Sequence, residues 1–234
     1  MEIFQGKFDS FENAIKEQKF LNPKYAFSSE RWLARQQSFL DMSKKGISPR
    51  HSNLLTFLEE NEKVEKILDI GGGSGWIFHL IRTKIEKPIT YVNLEINEIC
   101  EEFSKEFKET SLVQFVNSWE SVINLKNISL VYSNSTLQYL SDETFFENFK
   151  NIYQPQYLMF DDFIATSSQS YWTLQNYYGN FIPYCFRNLS EFNQKLLERG
   201  YSLVSAEDYP QTLTAGFLYG NERMPQTIVY KRAL

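Results

Sequence analysis

Residues 66–75 read Lys66-Ile-Leu-Asp-Ile-Gly-Gly-Gly-Ser-Gly75, a short apolar run with Asp69 near its end that breaks at once into glycines at 71, 72, 73 and 75. Glycines here remove every Cβ that would hold a ligand away from the backbone, and they permit the positive φ angles of a tight strand-to-helix turn. The apolar segment Trp76-Ile-Phe-His-Leu-Ile81 follows and reads as the helix that the turn opens. Its first N–H groups, without partners inside the helix, are expected to face whatever sits above the strand end.

Spacing narrows the ligand. A dinucleotide fingerprint, G-x-G-x-x-G, would need its third glycine at position 76, where Trp76 stands, and a P-loop would need a lysine that this bend lacks. The pattern present is D-x-G-x-G-x-G. A second apolar run, Ile89-Thr-Tyr-Val-Asn-Leu94, ends in Glu95. A carboxylate at the end of the second strand is placed to accept hydrogen bonds from two vicinal ribose hydroxyls. Together the two features point to a small adenosine-bearing ligand.

At these residues the chain resembles the class I S-adenosylmethionine-dependent methyltransferases. Asp69, Gly71, Gly73 and Gly75 match that family's first motif, with Gly72 inside it, and Glu95 matches its acidic ribose ligand. The resemblance runs from about Ser48 to the C-terminus. It implies S-adenosyl-L-methionine as cofactor and an α/β, Rossmann-like sheet of seven strands, mostly parallel with the last antiparallel, with helices on both faces. Two further segments, Ser133-Asn-Ser-Thr-Leu-Gln-Tyr-Leu140 and Ile182-Pro-Tyr-Cys-Phe-Arg-Asn-Leu-Ser-Glu-Phe192, resemble a methyltransferase family found with bacterial surface-polysaccharide genes.

Composition sets bounds on the rest. The 234 residues are 42% hydrophobic and 23% charged, ordinary for one globular domain with a full core. Asp plus Glu outnumber Lys plus Arg, 29 to 24, for a formal net charge of −5, a balance that disfavours a nucleic-acid partner. Nor does the Asn/Asp-Pro-Pro-aromatic segment of nucleic-acid amino-methylating enzymes stand after the fourth strand, where Ser133-Asn134-Ser135-Thr136 is found. The first twenty residues interleave charges with single aromatics, so neither a signal peptide nor a membrane span is expected, and a cytoplasmic setting follows. Cys100 and Cys185 lack disulfide-scaffold or metal-ligand spacing and read as free thiols.

Before Ser48 the sequence reads as helices, Phe11 to Phe20 and Ser28 to Met42, so residues 1–47 are expected to form a helical extension or lid and 48–234 the catalytic domain. Ser48-Pro49 supplies an N-cap and an N1 proline for the helix carrying Leu54, Leu55, Phe57 and Leu58. From Lys66 onward short apolar runs alternate with helical patterns, the signature of a covered parallel sheet. Strands are expected at 66–70, 89–94, 112–116, 128–132, 157–160, 201–205 and 227–231, and helices at 76–84, 97–107, 142–153 and 191–199. Ser190 and Gly200 mark the ends of the last helix.

Ligands in open α/β sheets lie outside the carboxyl ends of the strands. Ser133, Asn134, Thr136 and Gln138 follow the fourth strand, and Asp161 and Asp162 follow the fifth. In the family this region closes over the methionine part of the cofactor and faces the acceptor, which puts Ser133 and Asn134 with the cofactor and Gln138 with catalysis. Where many relatives carry an acidic adenine contact, this chain has Asn117-Ser118-Trp119, so amide, hydroxyl, backbone or ring stacking must serve. Trp119 reads equally as a core residue.

Methyl transfer from a sulfonium needs alignment above all, but a hydroxyl acceptor gains from a base. His51 precedes the first motif and His79 reads as a packing or capping residue, so Asp161 or Asp162 is the expected base. The two aspartates with Asn134 would also suit magnesium, yet adjacent aspartates are a poor metal signature, and no metal is assigned. Between Tyr153 and Phe186, Tyr171, Trp172, Tyr177, Tyr178, Phe181 and Tyr184 are interleaved with Gln169, Gln175, Asn176 and Asn180. Such a stretch reads either as a helix and lid packed on the sheet or as rings and amides that hold a sugar or nucleotide sugar. Tyr25, Arg31 and Arg35 are candidates for the cofactor's carboxylate or an anionic acceptor. Acceptors at nitrogen, carboxylate or phosphate, and a non-catalytic cofactor-binding subunit, stay open, as does the oligomeric state.

Overall fold

The structure, a computed structural model, describes residues 3–21, 27, 29–48, 52–177, 179–208 and 223–233. Strand β1 (Phe4–Phe8) leads into helices α1 (Phe11–Leu21), α2 (Glu30–Lys44) and α3 (Leu54–Glu60). The alternating part follows: β2 (Lys66–Ile70), α4 (Trp76–Lys84), β3 (Thr90–Leu94), α5 (Asn97–Phe103), β4 (Val113–Val116), α6 (Trp119–Ile123), β5 (Leu130–Asn134), α7 (Asp142–Phe149) and β6 (Tyr157–Thr166). The chain ends with β7 (Tyr171–Tyr177), β8 (Asn180–Asn188), α8 (Leu189–Leu197), β9 (Tyr201–Asp208) and β10 (Arg223–Arg232).

The main sheet runs β4-β3-β2-β5-β6-β10-β9, with β10 antiparallel to both neighbours and the pairs from β4 to β6 parallel. Its seven strands, their approximate positions and the antiparallel last strand agree with the sequence reading. Ile67, Leu68, Leu130 and Val131 are fully buried, which explains why these strands read as continuous apolar runs. Each such side chain contributes about 1.5–3 kcal/mol of burial. Phe39, Leu54, Ile77 and Phe103 of α2, α3, α4 and α5 pack on one face, and Val122, Phe145 and Phe192 of α6, α7 and α8 on the other. The order turns back between β3 and β5, so the crevice above the carboxyl end of β2 is the topological switch point.

Three strands fall outside that expectation. β1, β7 and β8 form an antiparallel sheet that joins the main one where β8 lies parallel to the far end of β6, Ala165 opposite Arg187 and Thr166 opposite Asn188. The aromatic-rich stretch is thus a hairpin rather than a helical lid. Both its faces are covered: Trp172 packs with Phe11 and Ala14, while Tyr171 and Tyr184 pack with Phe4 and Tyr139. Two-sided burial removes the alternation that would have marked the strands.

Several helix ends also differ. Asn53, not Ser48, occupies the N-cap of α3, and residues 49–51, with Pro49 and His51, lie outside the described residues. Asn188 rather than Ser190 caps α8, its side-chain oxygen accepting from Glu191 N–H at 3.1 Å. Glu198 is the C-cap, and Gly200 follows two residues on at φ 81°. The helix from Asn97 tightens into a 3-10 turn at Ser104–Phe107, and α7 stops at Phe149.

Candidate functional site

β2 delivers Asp69 to the switch point, where it is 2% exposed, and the bend then passes through Gly71, Gly73 and Gly75 with φ of 74°, 58° and 73°. β3, one strand over, delivers Asn93 and Glu95. The two sequence signals therefore meet: Glu95 Oε1 accepts from Gly73 N–H at 3.0 Å, and its Oε2 accepts from Ile96 N–H at 2.8 Å. Asn93 clasps the bend from both sides, its Oδ1 accepting from Gly72 N–H at 3.1 Å and its Nδ2 donating to Gly73 O at 2.8 Å.

The bend does not present free N–H groups as the sequence suggested. Gly71 N–H donates to Leu94 O at 2.8 Å, Gly75 N–H to Gly72 O at 3.1 Å, and Ser74 N–H to Gln36 Oε1 at 3.0 Å. With Gly72 and Gly73 already bonded, all five N–H groups from 71 to 75 are used within the chain. The missing side chains likewise make room for the protein itself. A Cβ on Gly72 would lie 2.5 Å from Asp69 Oδ2 and from the Tyr91 hydroxyl, one on Gly71 would strike Thr136, and one on Gly73 would strike Gln36. A phosphate cradle needs free N–H groups, so this bend is not one.

What the site offers instead is negative charge. The Tyr91 hydroxyl donates to Asp69 Oδ2, while Asp69 Oδ1 is buried with no hydrogen-bond partner among the described residues. Burial pushes the Asp69 carboxyl up to about 7; the Tyr91 hydrogen bond works against the rise, and the charges of Glu95 and Asp161 add to it. Burial likewise lifts Glu95 to about 7, opposed by the N–H groups of Ile96 and Gly73. Buried carboxylates of this kind are completed by a cation or by a proton.

The loop after β5 closes the other side. Ser133 Oγ donates to Ile70 O at 2.9 Å and Thr136 Oγ1 to Gly71 O at 3.3 Å, so this loop is tied to β2 and the bend. Asn134 Nδ2 donates to the Tyr132 hydroxyl at 3.2 Å. Gln138 lies in the 3-10 turn Leu137–Tyr139, 5% exposed.

The two aspartates of β6 differ. Asp161 accepts from the Tyr132 hydroxyl at 2.8 Å and from the Thr227 hydroxyl at 2.6 Å, one bond to each oxygen. Asp162 sits in a β-bulge: the pairing of β10 jumps from Gln226 opposite Phe163 to Ile228 opposite Phe160, leaving both aspartates against Thr227. Its φ is 53°, and Ser135, whose Oγ donates to Asp162 Oδ2 at 2.5 Å, has φ 55°. Bulges re-aim side chains, and left-handed backbone at two neighbouring non-glycine residues is strain of the kind functional sites store.

The remaining candidates divide. Ser118 caps α6, accepting from Ser121 N–H at 3.3 Å; Trp119 is partly buried against the core; Asn117 is exposed and donates to Asn97 Oδ1 at 2.7 Å. Tyr25 lies outside the described residues, and Arg35 stacks its guanidinium over Phe39 at 4.9 Å. His79 packs against Phe107, ring centroids 5.2 Å apart, and burial lowers its pKa. Among the described residues no three His, Cys, Asp or Glu side chains converge as a metal site requires.

Two contributors had no place in the sequence reading. Gln36 is one, 3% exposed on the stripe Gln36, Phe39, Leu40 and Ser43 that α2 turns inward. An amide in register with Phe39 and Leu40 on the inward stripe was its signal. Arg187 is the other: its Nε donates to Asp142 Oδ1 at 2.8 Å, Nη1 to Leu137 O at 2.7 Å and Nη2 to Leu140 O at 2.5 Å, pinning the turn that holds Gln138.

Strand order, glycine bend and the carboxylate beyond β3 define the class I methyltransferase fold. A family model described as a methyltransferase domain matches residues 42–206, and the chain belongs to that family. It is an S-adenosylmethionine-dependent methyltransferase by that membership. Similar solved structures include an S-adenosylmethionine-dependent methyltransferase from Mesorhizobium loti, 14% identical, TM-score 0.54, covering 77% of this chain and 97% of that one. The 1,6-didemethyltoxoflavin N1-methyltransferase of Burkholderia thailandensis, solved with bound 1,6-didemethyltoxoflavin and S-adenosylhomocysteine, is 12% identical, TM-score 0.57, covering 91% and 93%. Magnesium protoporphyrin IX methyltransferase from Synechocystis PCC 6803, solved with S-adenosylmethionine, is 11% identical, TM-score 0.52, covering 97% and 93%. At such identities the likeness is one of fold. A search of curated protein sequences finds no match.

Proposed function

We propose that this protein moves a methyl group from S-adenosylmethionine to a hydroxyl of a small, sugar-containing acceptor, free or as a nucleotide sugar, in the biosynthesis of surface glycans. The observation that carries the donor site is the buried Asp69 Oδ1 beside Glu95, without a partner among the described residues, in a bend whose N–H groups are all taken. Such a place rejects phosphate and suits a cation. When bound, the donor supplies a positively charged sulfonium as leaving group.

In this reading Asp69 faces the donor's cationic end and Glu95 keeps its outer lone pairs for ribose hydroxyls. Asn117, Ser118 and Trp119, at the end of β4, border the adenine. Ser133 and Asn134 line the methionine side. Asp162 takes the acceptor's proton; Asp161, already holding two hydroxyls, orients Tyr132 and Thr227 instead. Residues 1–47 serve as a lid on the domain formed by 48–234.

A sugar acceptor is supported by the rings and amides beside the loop after β5. Tyr139 donates to Gln175 Oε1 at 2.8 Å, and Phe27, Trp32 and Tyr177 gather with Tyr139 at centroid separations of 4.9–5.4 Å. The surface-glycan setting is supported by the resemblance of segments 133–140 and 182–192. A cytoplasmic site of action fits the free thiols of Cys100 and Cys185.

Calorimetry with S-adenosylhomocysteine tests the donor site. Glu95→Ala should weaken binding roughly 100-fold. An acceptor panel of sugars and nucleotide sugars then tests the chemistry. Asp162→Asn should keep nucleoside binding and lose roughly 100-fold or more in turnover. Absence of binding by folded wild type would sink the donor assignment, and products methylated only at nitrogen would reject the hydroxyl.

A further inference from the structure

One unbroken line of polar contacts joins the two aspartates of β6. Asp161 Oδ2 lies 2.8 Å from the Tyr132 hydroxyl, that hydroxyl 3.2 Å from Asn134 Nδ2, Asn134 Oδ1 2.8 Å from Ser135 Oγ, and Ser135 Oγ 2.5 Å from Asp162 Oδ2. The fold builds every link. Asn134 stands opposite Asp161 in the pairing of β5 with β6, Ser135 N–H donates to Asp161 O at 3.1 Å, and the bulge brings Asp162 against Ser135. Tyr132, Asp161 and Asp162 are all buried.

Counting hydrogens along this line decides its protonation. Tyr132 and Ser135 bring one proton each, and the Asn134 amide points one N–H into the line and its oxygen the other way, which makes three protons for four contacts. Turning the amide over leaves that count unchanged. So do Ser52 Oγ, 3.4 Å from the Tyr132 hydroxyl, and the Thr227 hydroxyl, which donates its own proton to Asp161 Oδ1 at 2.6 Å, because both contacts lie outside the line. The missing proton has to come from a carboxyl at one end. Carboxylates held close together avoid a double charge by sharing one proton in this way.

We infer that Asp161 and Asp162 hold a single proton between them through Tyr132, Asn134 and Ser135, and that these three positioning residues set when Asp162 acts as base. The catalytic part rests on the hydroxyl-acceptor reading above. With the proton at Asp161, the line donates from Asp161 to Tyr132, from Tyr132 to the Asn134 amide oxygen, from the amide nitrogen to Ser135, and from Ser135 to Asp162, which is left ionised. The 2.5 Å contact at that last link is the length of an O–H···O⁻ bond. The charges of Asp69 and Asp161 oppose each other, which also favours the proton at the Asp161 end. Asp162 then takes the acceptor hydroxyl's proton while the oxygen keeps the bonding pair for the methyl carbon. The pair, now holding two protons, releases one to solvent before the next turnover.

Carbon-13 NMR of the full chain labelled at its aspartate carboxyl carbons, at neutral pH and without ligand, reads the sharing directly. Carboxyl and carboxylate carbons differ in shift, so the Asp161 and Asp162 resonances, assigned by their loss in Asp161→Asn and Asp162→Asn, should together report one proton. Two substitutions then cut the line and spare both carboxylates. Ser135→Gly suits the φ of 55° and keeps the backbone bond to Asp161 O, and Tyr132→Phe keeps the ring. Each should move both resonances, including that of the aspartate at the far end, and lower the proton held by the pair to about half or less. Thermal melts verify folding, and either variant alone suffices. Two fully ionised aspartates in wild type would overturn the proposal, as would a far carboxyl that neither substitution moves. A shared proton with no methylated sugar in the acceptor panel would fail the hydroxyl reading instead.

Discussion

Two carboxylate sites lie at the carboxyl end of the sheet, and they are opposites. Asp142, at the start of α7, holds Arg187 Nε at 2.8 Å and Lys195 Nζ at 2.5 Å. Burial alone would raise its pKa, but the two cations outweigh burial and lower it. Among the described residues Asp69 and Glu95 have no such partner, and burial lifts both to about 7. The first site is complete, so its role is to fix β8 to the turn at Leu137–Tyr139. The second is incomplete among the described residues, which is the mark of a place built for a ligand.

Removing the cation from the complete site should have the largest effect on stability. Arg187→Leu leaves Asp142 with its charge beside an apolar side chain, takes the Arg187 donor from the Leu140 carbonyl and leaves the Leu137 carbonyl with the Leu140 N–H alone. A loss of about 3–5 kcal/mol in urea unfolding is expected. Lys195→Ala removes a half-exposed partner of the same carboxylate and should lose no more than about 1 kcal/mol. Equal effects would show that the site is not organised around Arg187.

The contrast also separates what was legible in the sequence from what was not. β2, the glycine bend and helix 76–84 could be read because strand, glycine and amphipathic helix are local signals within a few residues. Glu95 was legible because its distance from the bend is set by one strand-helix-strand unit. Arg187 was not, since its partner Asp142 lies 45 positions away and neither residue looks unusual alone. Asp161 and Asp162 could be named but not told apart, because the bulge that re-aims one of them exists only in the pairing with β10. Gln36 was passed over in favour of its neighbour Arg35. One step along a helix turns a side chain by about 100°, so a residue beside the right one faces elsewhere.

Neutralising the incomplete site should do the reverse of breaking the complete one. Asp69→Asn keeps an oxygen for the Tyr91 hydroxyl and removes the charge. A carboxyl whose pKa is raised by folding binds more protons in the folded chain between about pH 4 and pH 7, so its ionisation destabilises the ligand-free protein as pH rises through that window. The variant should therefore gain on the order of 2 to 4 kcal/mol at pH 8 and nothing at pH 4. Asp142 acts with the opposite sign: the stability it gives is present above the ordinary carboxylate range and is lost as pH falls through its lowered pKa. Denaturation curves across pH should thus show a maximum near pH 5 in wild type that flattens on the alkaline side in Asp69→Asn. A variant no more stable at pH 8 would mean that the buried Asp69 charge costs nothing and has no need of a cationic ligand.

The smallest effect is the most direct probe of that need. S-adenosylmethionine and S-adenosylhomocysteine differ by a methyl group and by the sulfonium charge, so the ratio of their affinities isolates the site's response to one positive charge. Below pH 6 Asp69 and Glu95 are largely protonated and the ratio should be near its minimum. As both ionise through pH 7, the methylated donor gains and its product does not. Between pH 6 and pH 8 the ratio should rise severalfold, on the order of 1 kcal/mol for a partly screened charge pair. The same titration of Asp69→Asn should be flatter, because Glu95 alone remains to ionise. A ratio that stays constant in wild type would place the sulfonium away from these carboxylates, and the acidity of the crevice would then need another occupant.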